Sequence, residues 1–212
     1  MRILSHRGYW KELAKRNSRA AFVHSFEMGF GTETDLRDCG GKVVIAHDMP
    51  KGDEMDFEEL LQIMNGYNLP LALNIKADGL AETILELLEK YNHTNYFTFD
   101  MSIPDMVVHI KRGMRVFTGL SDILPVPVML DDVAGVWLDS FYGDWFGTNT
   151  IDDLIASGKS VCIASSELHK RVPEKQWETV RHSKSIGSEN LWLCTDWPEK
   201  ANEYFNLNEN DH

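Results

Sequence analysis

The chain has 212 residues, of which 43% are hydrophobic and 25% are charged, the balance of an ordinary globular protein. Its formal net charge of -12 argues against nucleic acid as a partner and against adhesion to anionic membranes, because no basic stripe is present to bind phosphates. Cys39, Cys162 and Cys194 lack a metal-binding spacing and leave one thiol over from any pairing, which favours the reduced thiols of a cytoplasmic protein.

The sequence shows neither a membrane span nor a linker. No stretch approaches the roughly 20 apolar residues that a spanning helix needs. Only a very short apolar run precedes Arg7, so we predict no signal peptide. Because no domain boundary stands out, residues 1–206 are predicted to form a single domain, followed by a polar tail over residues 207–212.

Strand-like and helix-like patterns alternate from one end of the chain to the other. The predicted strands cover residues 2–5, 32–36, 42–46, 70–75, 95–99, 114–118, 135–139, 159–163 and 191–194. The predicted helices cover residues 18–29, 56–65, 79–91, 102–111, 149–157, 173–184 and 198–205. Alternation of this kind indicates a parallel sheet covered by helices.

The number of strands favours a closed sheet. About eight strands in an α/β pattern predict a small (β/α)8 TIM barrel, with a doubly wound open sheet as the alternative. Residues 119–134 show no clear helix, so one βα unit is expected to be a loop there. A barrel places its catalytic residues at the C-terminal ends of the strands, where polar side chains are therefore of interest.

Polar residues stand at or near the ends of three strand-like runs: His6 and Arg7 after the first, Glu33 and Asp35 on the second, and His47 after the third. Period-2 alternation places the two carboxylates on the same face of their strand. Such carboxylates repel each other unless a cation lies between them. With histidines nearby to move protons, the pattern indicates a phosphoryl-transfer site with a hard metal ion.

These features together resemble the glycerophosphodiester phosphodiesterase family, within the superfamily of phosphatidylinositol-phospholipase-C-like phosphodiesterases. The matching residues, in the family's order and at close to its spacing, are His6-Arg7-Gly8, Asn17-Ser18 followed by Ala21-Phe22, Gly29 before Glu33-x-Asp35, and His47-Asp48. Beyond the first quarter of the chain the match is thinner and consists of Lys76 and Thr195-Asp196-Trp197-Pro198. The chain resembles a short member, without the insertion that commonly follows the family's His-Asp motif.

The resemblance implies a TIM barrel and a role for each matching side chain. His6 and His47 are implied as the general acid and base, with neither assigned to one of the two roles. Glu33 and Asp35 are implied as ligands of one divalent cation, Mg2+ or Ca2+. Arg7 is expected to bind a phosphoryl oxygen, because its planar fork suits that geometry.

The predicted strand 70–75 holds the main departure from the family. Members generally have Glu-x-Lys there, with the glutamate as a third metal ligand, whereas this chain has Asn74-Ile75-Lys76. The carbonyl oxygen of Asn74 can ligate the cation but brings no charge, which predicts weaker metal binding than in a three-carboxylate site. Lys76 is expected to contact the phosphate. Two later strand-end carboxylates, Asp139 and Asp196, are predicted to be mainly structural.

The predicted function is that of a metal-dependent phosphodiesterase in the cytoplasm. Its small-molecule substrate would be glycerophosphodiester-like or carry a sugar or lipid head group, with Trp10, Trp145 and Trp197 as candidates to line a pocket. The nucleophile is either water or a hydroxyl of the substrate, which would give a cyclic phosphate first. The alternative function is a catalytically impaired barrel that binds a phosphorylated ligand or a partner protein, because Asn74 replaces the usual glutamate. A barrel isomerase or lyase using the same metal fits the two histidines less well.

Overall fold

The structure, a computed structural model, describes residues 1–64 and 66–206. The strands in this part of the chain are β1 (Arg2–His6), β2 (Gly31–Cys39), β3 (Lys42–Ile45), β4 (Leu71–Ile75), β5 (Tyr96–Phe99), β6 (Phe117–Leu120), β7 (Gly135–Leu138), β8 (Ser160–Ala164) and β9 (Leu191–Thr195). The α-helices are α1 (Arg19–Glu27), α2 (Phe57–Met64), α3 (Ala81–Lys90), α4 (Ile103–Lys111), α5 (Thr148–Ala156), α6 (Glu174–Arg181) and α7 (Pro198–Asn206). Every predicted strand and helix is found, and the predicted tail over residues 207–212 lies outside the described residues.

Eight of the strands form a nearly closed barrel. They run parallel in the order β5-β4-β2-β1-β9-β8-β7-β6. The two ends of this order meet at a bridge between Thr98 in β5 and Val116 just before β6, where the Thr98 amide donates to the carbonyl oxygen of Arg115 at 2.9 Å. The predicted (β/α)8 TIM barrel is therefore confirmed, and the open doubly wound sheet is excluded.

The hairpin formed by β2 and β3 extends beyond the mouth of the barrel. β3 pairs antiparallel with β2, after a turn at Gly40 and Gly41 whose φ angles of 56° and 81° are readily adopted by glycine. The returning strand brings the chain back to the level of Asp35, whose carbonyl oxygen accepts a hydrogen bond from the Ala46 amide at 3.0 Å. His47 is thereby carried to the rim beside β2.

Helices cover most of the outside of the barrel. Between β6 and β7 the described chain forms no helix, as predicted for residues 119–134. Two 3-10 helices, at Leu13–Lys15 and Ser166–His169, were not predicted. In the described part of the chain, no helix is both long and apolar enough to span a lipid bilayer.

Apolar side chains fill the lower part of the barrel. The rings of Phe97 and Phe117 stack with centroids 3.9 Å apart, and Trp192 packs against both. Cys162 and Cys194 are buried in the same interior cluster as free thiols, as predicted. This filling separates the polar side chains at the C-terminal ends of the strands from the N-terminal end, where Arg115 Nη2 donates to the Ser160 hydroxyl at 2.8 Å.

Candidate active site

His6 is held at the end of β1 in one orientation. Its Nδ1 lies 2.7 Å from Asp196 Oδ1, at the end of β9, because β1 and β9 are neighbours in the barrel. A carboxylate only accepts hydrogen bonds, so Nδ1 carries the proton and Nε2 keeps a free lone pair. Burial lowers the pKa of His6 more than the hydrogen bond to Asp196 raises it. His6 is therefore a neutral imidazole at neutral pH, able to accept a proton at Nε2.

Asp196 is itself held by two neighbours. Its backbone amide donates to Glu167 Oε1 at 3.0 Å, and the Thr195 hydroxyl donates to the same carboxylate. Arg16 Nη2 lies 3.7 Å from Asp196 Oδ2. The prediction that Asp196 is mainly structural is thus incomplete, because this carboxylate orients the candidate catalytic histidine.

Glu33 and Asp35 face the same side of β2, as predicted from alternation, and both are buried. Glu33 Oε2 lies 3.8 Å from His6 Nε2. Burial and the neighbouring Asp35 charge raise the pKa of Glu33 to about 8. Asn74 is buried on the adjacent strand β4, in register with Asp35. Two carboxylates and one amide therefore converge next to the histidine.

Three buried oxygens at this point have no hydrogen-bond partner among the described residues: Glu33 Oε2, Asp35 Oδ1 and Asn74 Oδ1. An unsatisfied buried acceptor costs about 1–3 kcal/mol, so three together need an explanation. Carboxylate and carbonyl oxygens on neighbouring strands are the donor set that Mg2+ or Ca2+ prefers. No group of three or more His, Cys, Asp or Glu residues suited to a metal ion is found among the described residues. A metal ion bound by Glu33 and Asp35 would therefore need its third side-chain oxygen from the Asn74 amide.

Two cations flank the carboxylates. Arg7 Nε lies 3.0 Å from Asp35 Oδ2, and Lys76 Nζ lies 3.9 Å from Asp35 Oδ1. Lys76 Nζ is also 3.3 Å from Asp100 Oδ2, at the end of β5. The side chains that we predicted to bind phosphate are thus next to the predicted metal ligands, paired with carboxylates.

Arg7 and Gly8 form a tight turn that aims the Arg7 side chain at the mouth. Both have positive φ angles, 60° and 81°, and the first is strained for a residue with a side chain. A Cβ atom at Gly8 would stand 2.8 Å from the Cβ of Ala21 in α1. Only glycine fits there, which explains the Arg-Gly pair by the packing of α1 against the turn.

Asn17, which enters the sequence analysis only as part of the resemblance, is a neighbour of the site and does not cap α1. Ser18 fills that role, since its side chain accepts from the Ala21 amide. The Asn17 amide instead donates to Asp35 Oδ2 at 3.3 Å, and its carbonyl oxygen accepts from the Thr34 hydroxyl at 3.0 Å. The signal that could have found it is the position of Asn17 within the resemblance.

His47 stands apart from the other predicted site residues. Its Nδ1 lies 2.8 Å from Asp48 Oδ1, and 48% of its side chain is exposed. Hydrogen bonding to His47 lowers the pKa of Asp48. The structure therefore brings together His6, Arg7, Glu33, Asp35, Asn74 and Lys76, and leaves His47 on the rim.

Two cavities lie at opposite ends of the barrel. One of about 790 Å³ lies at the N-terminal ends of the strands and is lined by Arg2, Phe30 and Arg181 among others. A smaller one of about 280 Å³ lies beside Asp196 and is lined by Trp10 and Trp197. Although the first is larger, the side chains suited to acid-base chemistry are at the other end, which is where barrels carry their active sites. Two of the three tryptophans predicted to line a pocket, Trp10 and Trp197, thus line a cavity together, whereas Trp145 is not part of its lining.

Solved structures similar to this chain include a glycerophosphodiester phosphodiesterase from Agrobacterium tumefaciens str. C58, at a TM-score of 0.68 and 15% identity, covering 96% of this chain and 98% of that chain. An Oleispira antarctica phosphodiesterase in complex with the product sn-glycerol-3-phosphate has a TM-score of 0.68 and 18% identity, over 96% of each chain. A phosphoribosyl anthranilate isomerase from Thermus thermophilus is less similar, at a TM-score of 0.52 and 14% identity, covering 97% of this chain and 96% of that one. No family model and no curated protein matches the sequence. At these identities the likeness establishes a fold that phosphodiesterases share.

Proposed function

We propose that this chain is a metal-dependent phosphodiesterase that cleaves a small-molecule phosphodiester through two proton-transferring histidines. The observation that carries the proposal is a trio of buried oxygens, on Glu33, Asp35 and Asn74, that have no hydrogen-bond partner in the described part of the chain. They lie next to Nε2 of His6. The similarity of the fold to two phosphodiesterases supports the same reaction class.

Glu33, Asp35 and Asn74 would hold one Mg2+ or Ca2+ ion. When bound, the cation would supply charge stabilisation to the phosphate oxygens. Arg7 and Lys76, each close to Asp35, would add positive charge on either side of the phosphate. The guanidinium of Arg7 suits two phosphoryl oxygens at once, whereas Lys76 acts as a point charge.

The histidines would divide the proton transfers between them. His6 Nε2 would accept the proton of the attacking oxygen as the new P–O bond forms. The bond between phosphorus and the leaving oxygen then breaks, and His47 would donate a proton to that oxygen. Asp196 would hold His6 in the correct tautomer throughout, through its 2.7 Å hydrogen bond to Nδ1. The attacking oxygen would come from water or from a hydroxyl group of the substrate.

The substrate class follows from the same chemistry. A phosphodiester carrying a glycerol, sugar or lipid head group would place its phosphate on the cation and its alcohol in the mouth. One neighbour in the comparison was solved with the product sn-glycerol-3-phosphate, which supports a small phosphorylated alcohol here. We propose that the protein acts on such metabolites in the cytoplasm.

A phosphodiester panel assay tests this function. Purified protein is incubated with bis(p-nitrophenyl) phosphate and with natural diesters in Mg2+, Ca2+, Mn2+ or EDTA. We expect metal-dependent turnover that falls at least 100-fold in His6→Ala and in His47→Ala. The control is His182→Ala, because His182 is an exposed histidine at the end of α6. Turnover that persists in EDTA, or that survives both substitutions, would overturn the proposal.

A further inference from the structure

A third histidine–carboxylate pair, in addition to His6–Asp196 and His47–Asp48, lies at the mouth of the barrel, and the proposed proton transfers do not use it. His169 Nε2 is 2.7 Å from Asp139 Oδ1, and the Ser140 amide donates to the same oxygen at 2.7 Å. Because Asp139 occupies Nε2, the other ring nitrogen is left for a ligand. His169 keeps 24% of its side chain exposed, so a ligand can reach it.

This pair faces the predicted metal ligands across the barrel. Asp139 directly follows β7, and β7 is four strands away from β2 in either direction around the ring. The ring of Trp137, two residues earlier, stacks on Phe99 inside the barrel with centroids 4.1 Å apart. The Asp139–His169 pair therefore lies on the opposite side of the mouth from Glu33 and Asp35.

Aromatic side chains form the wall beside this pair. The Phe141 ring lies 4.8 Å from the His169 ring, and Trp145 Nε1 donates to the Asp139 carbonyl oxygen at 2.6 Å. Both aromatic residues remain partly exposed, at 41% and 37%. The Asp122 carboxylate accepts from two successive backbone amides of this loop, beginning with Phe141 at 2.8 Å. The loop is thus held in place from the β6 side.

We propose that Asp139 and His169, together with the rings of Phe141 and Trp145, form a subsite for a hydroxyl-bearing alcohol group of the phosphodiester, such as glycerol or a sugar. This inference rests on the proposed function, because it places the phosphate on the opposite side of the mouth. A hydroxyl group both donates and accepts, which suits a carboxylate next to an imidazole. The C–H faces of a polyol pack against aromatic rings.

Other occupants fit these side chains less well. Asp139 already accepts from His169, Ser140 and Trp137, but a purely apolar group would cover the second ring nitrogen of His169 without giving it a hydrogen-bond partner, which is costly. A second anionic group would meet the carboxylates of Asp139 and Asp122. Arg171, a cation whose charge acts on His169, is already paired with Asp144 at 3.1 Å. A neutral group with hydroxyls satisfies the polar pair and adds no charge.

Two matched ligands test the subsite by calorimetry in saturating Mg2+. Glycerol 3-phosphate and propyl phosphate share the phosphate and the three-carbon chain and differ only in two hydroxyl groups. A hydrogen bond to a charged or strongly polarised group predicts that the wild type binds glycerol 3-phosphate roughly 10- to 100-fold more tightly. Both dissociation constants are measured in the wild type and in two variants.

Two variants distinguish the loss of the His169 contact from a general loss of folding. In His169→Gln the amide can still donate to Asp139, but the second ring nitrogen is gone, so we expect the preference to fall to about 3-fold or less. His182→Gln is the matched control, since His182 also lies near a carboxylate, Glu178 at 3.4 Å, but sits at the end of an outer helix. The control should keep the wild-type preference, and unfolding curves confirm that both variants fold.

Each outcome decides the inference. Equal binding of the two phosphates by the wild type, tighter binding of propyl phosphate, or a preference unchanged in His169→Gln would overturn it, as would failure of both ligands to bind. A hydroxyl preference that depends on His169 supports the subsite even if no diester is turned over, in which case only the proposed function fails. Turnover of diesters without such a preference leaves the function standing and removes the subsite.

Discussion

Replacing Glu33 by glutamine should stabilise the metal-free protein while removing its chemistry. Glu33 is buried beside Asp35, and its pKa is raised from the ordinary 4.5 to about 8. In the folded state the Glu33 carboxyl thus keeps its proton at pH values where the same carboxyl in the unfolded state has released it. Below about pH 4.5, Glu33 therefore takes nothing from the free energy of unfolding, and the free energy of unfolding falls as the pH rises towards about 8. Glutamine mimics the protonated form and avoids that loss.

The size of the effect follows from the two pKa values. A Glu33 pKa of 4.5 in the unfolded state and of about 8 in the folded state lowers the free energy of unfolding by about 3 kcal/mol at pH 7 and by about 1 kcal/mol at pH 5. Glu33→Gln should therefore gain about 3 kcal/mol at pH 7 in EDTA, and about a third of that at pH 5. Urea unfolding followed by tryptophan fluorescence measures both values.

Two comparisons sharpen the experiment. Saturating Mg2+ should stabilise the wild type by mass action but not Glu33→Gln, so the order of stability reverses when metal is added. Glu58→Gln is the control of opposite sign, because hydrogen bonds from Lys90 and Tyr91 lower the pKa of the Glu58 carboxyl and so favour its charged form. It should be less stable than the wild type. A Glu33→Gln protein that gains nothing at pH 7, or gains equally at pH 5, would refute the reasoning.

Substitutions at Asn74, Gly8 and Asp196 test other parts of the site. Asn74→Asp should tighten Mg2+ binding by at least 10-fold in calorimetry, because it adds a charge to the donor set, and Asn74→Ala should weaken it. Gly8→Ala should lower the free energy of unfolding, measured in urea, by about 2–4 kcal/mol, because the new Cβ would lie 2.8 Å from Ala21 and the residue has a positive φ. The control Gly29→Ala, which also has a positive φ but open space around it, should lower it by only about 1 kcal/mol. Asp196→Asn should lower kcat by 10- to 100-fold and move the acid limb of the pH–rate profile to lower pH, because Asp196 raises the pKa of His6. Unchanged metal affinity, equal costs at the two glycines, or an unmoved pH profile would each contradict its prediction.

The sequence was sufficient for the fold because each strand and helix carries its own periodic signal. Period-2 alternation also predicted that Glu33 and Asp35 share a face, which the buried pair on β2 shows. The resemblance implied that Asn74 lies beside them, and β4 does pair with β2, with Asn74 in register with Asp35. Local patterns of this kind are readable because neighbouring residues in one strand fix them.

The contacts that complete the site could not be read in the same way. Asp196 reaches His6 only because the last strand of the chain closes on the first. His169 lies in a short 3-10 helix without periodicity, and its partner Asp139 is 30 residues away in sequence. Asn17 adopts a positive φ of 54° that turns its side chain towards Asp35. Such pairings depend on barrel closure and loop conformation, for which the chain carries no local signal.

The junction between β5 and β6 is a weakly paired position in the closed barrel. Its strands are joined at Thr98 and Val116, and the helix that normally covers the next unit is replaced by a loop. From the outside, the buried His109 on α4 supports the junction, with Nδ1 3.1 Å from the Thr98 hydroxyl and Nε2 3.2 Å from Asp105. Local unfolding should begin here, with amide hydrogens of β5 exchanging with solvent before those of β1 and β9. The strands around His6 would then stay folded while the opposite part of the barrel, at β5 and β6, unfolds and refolds locally.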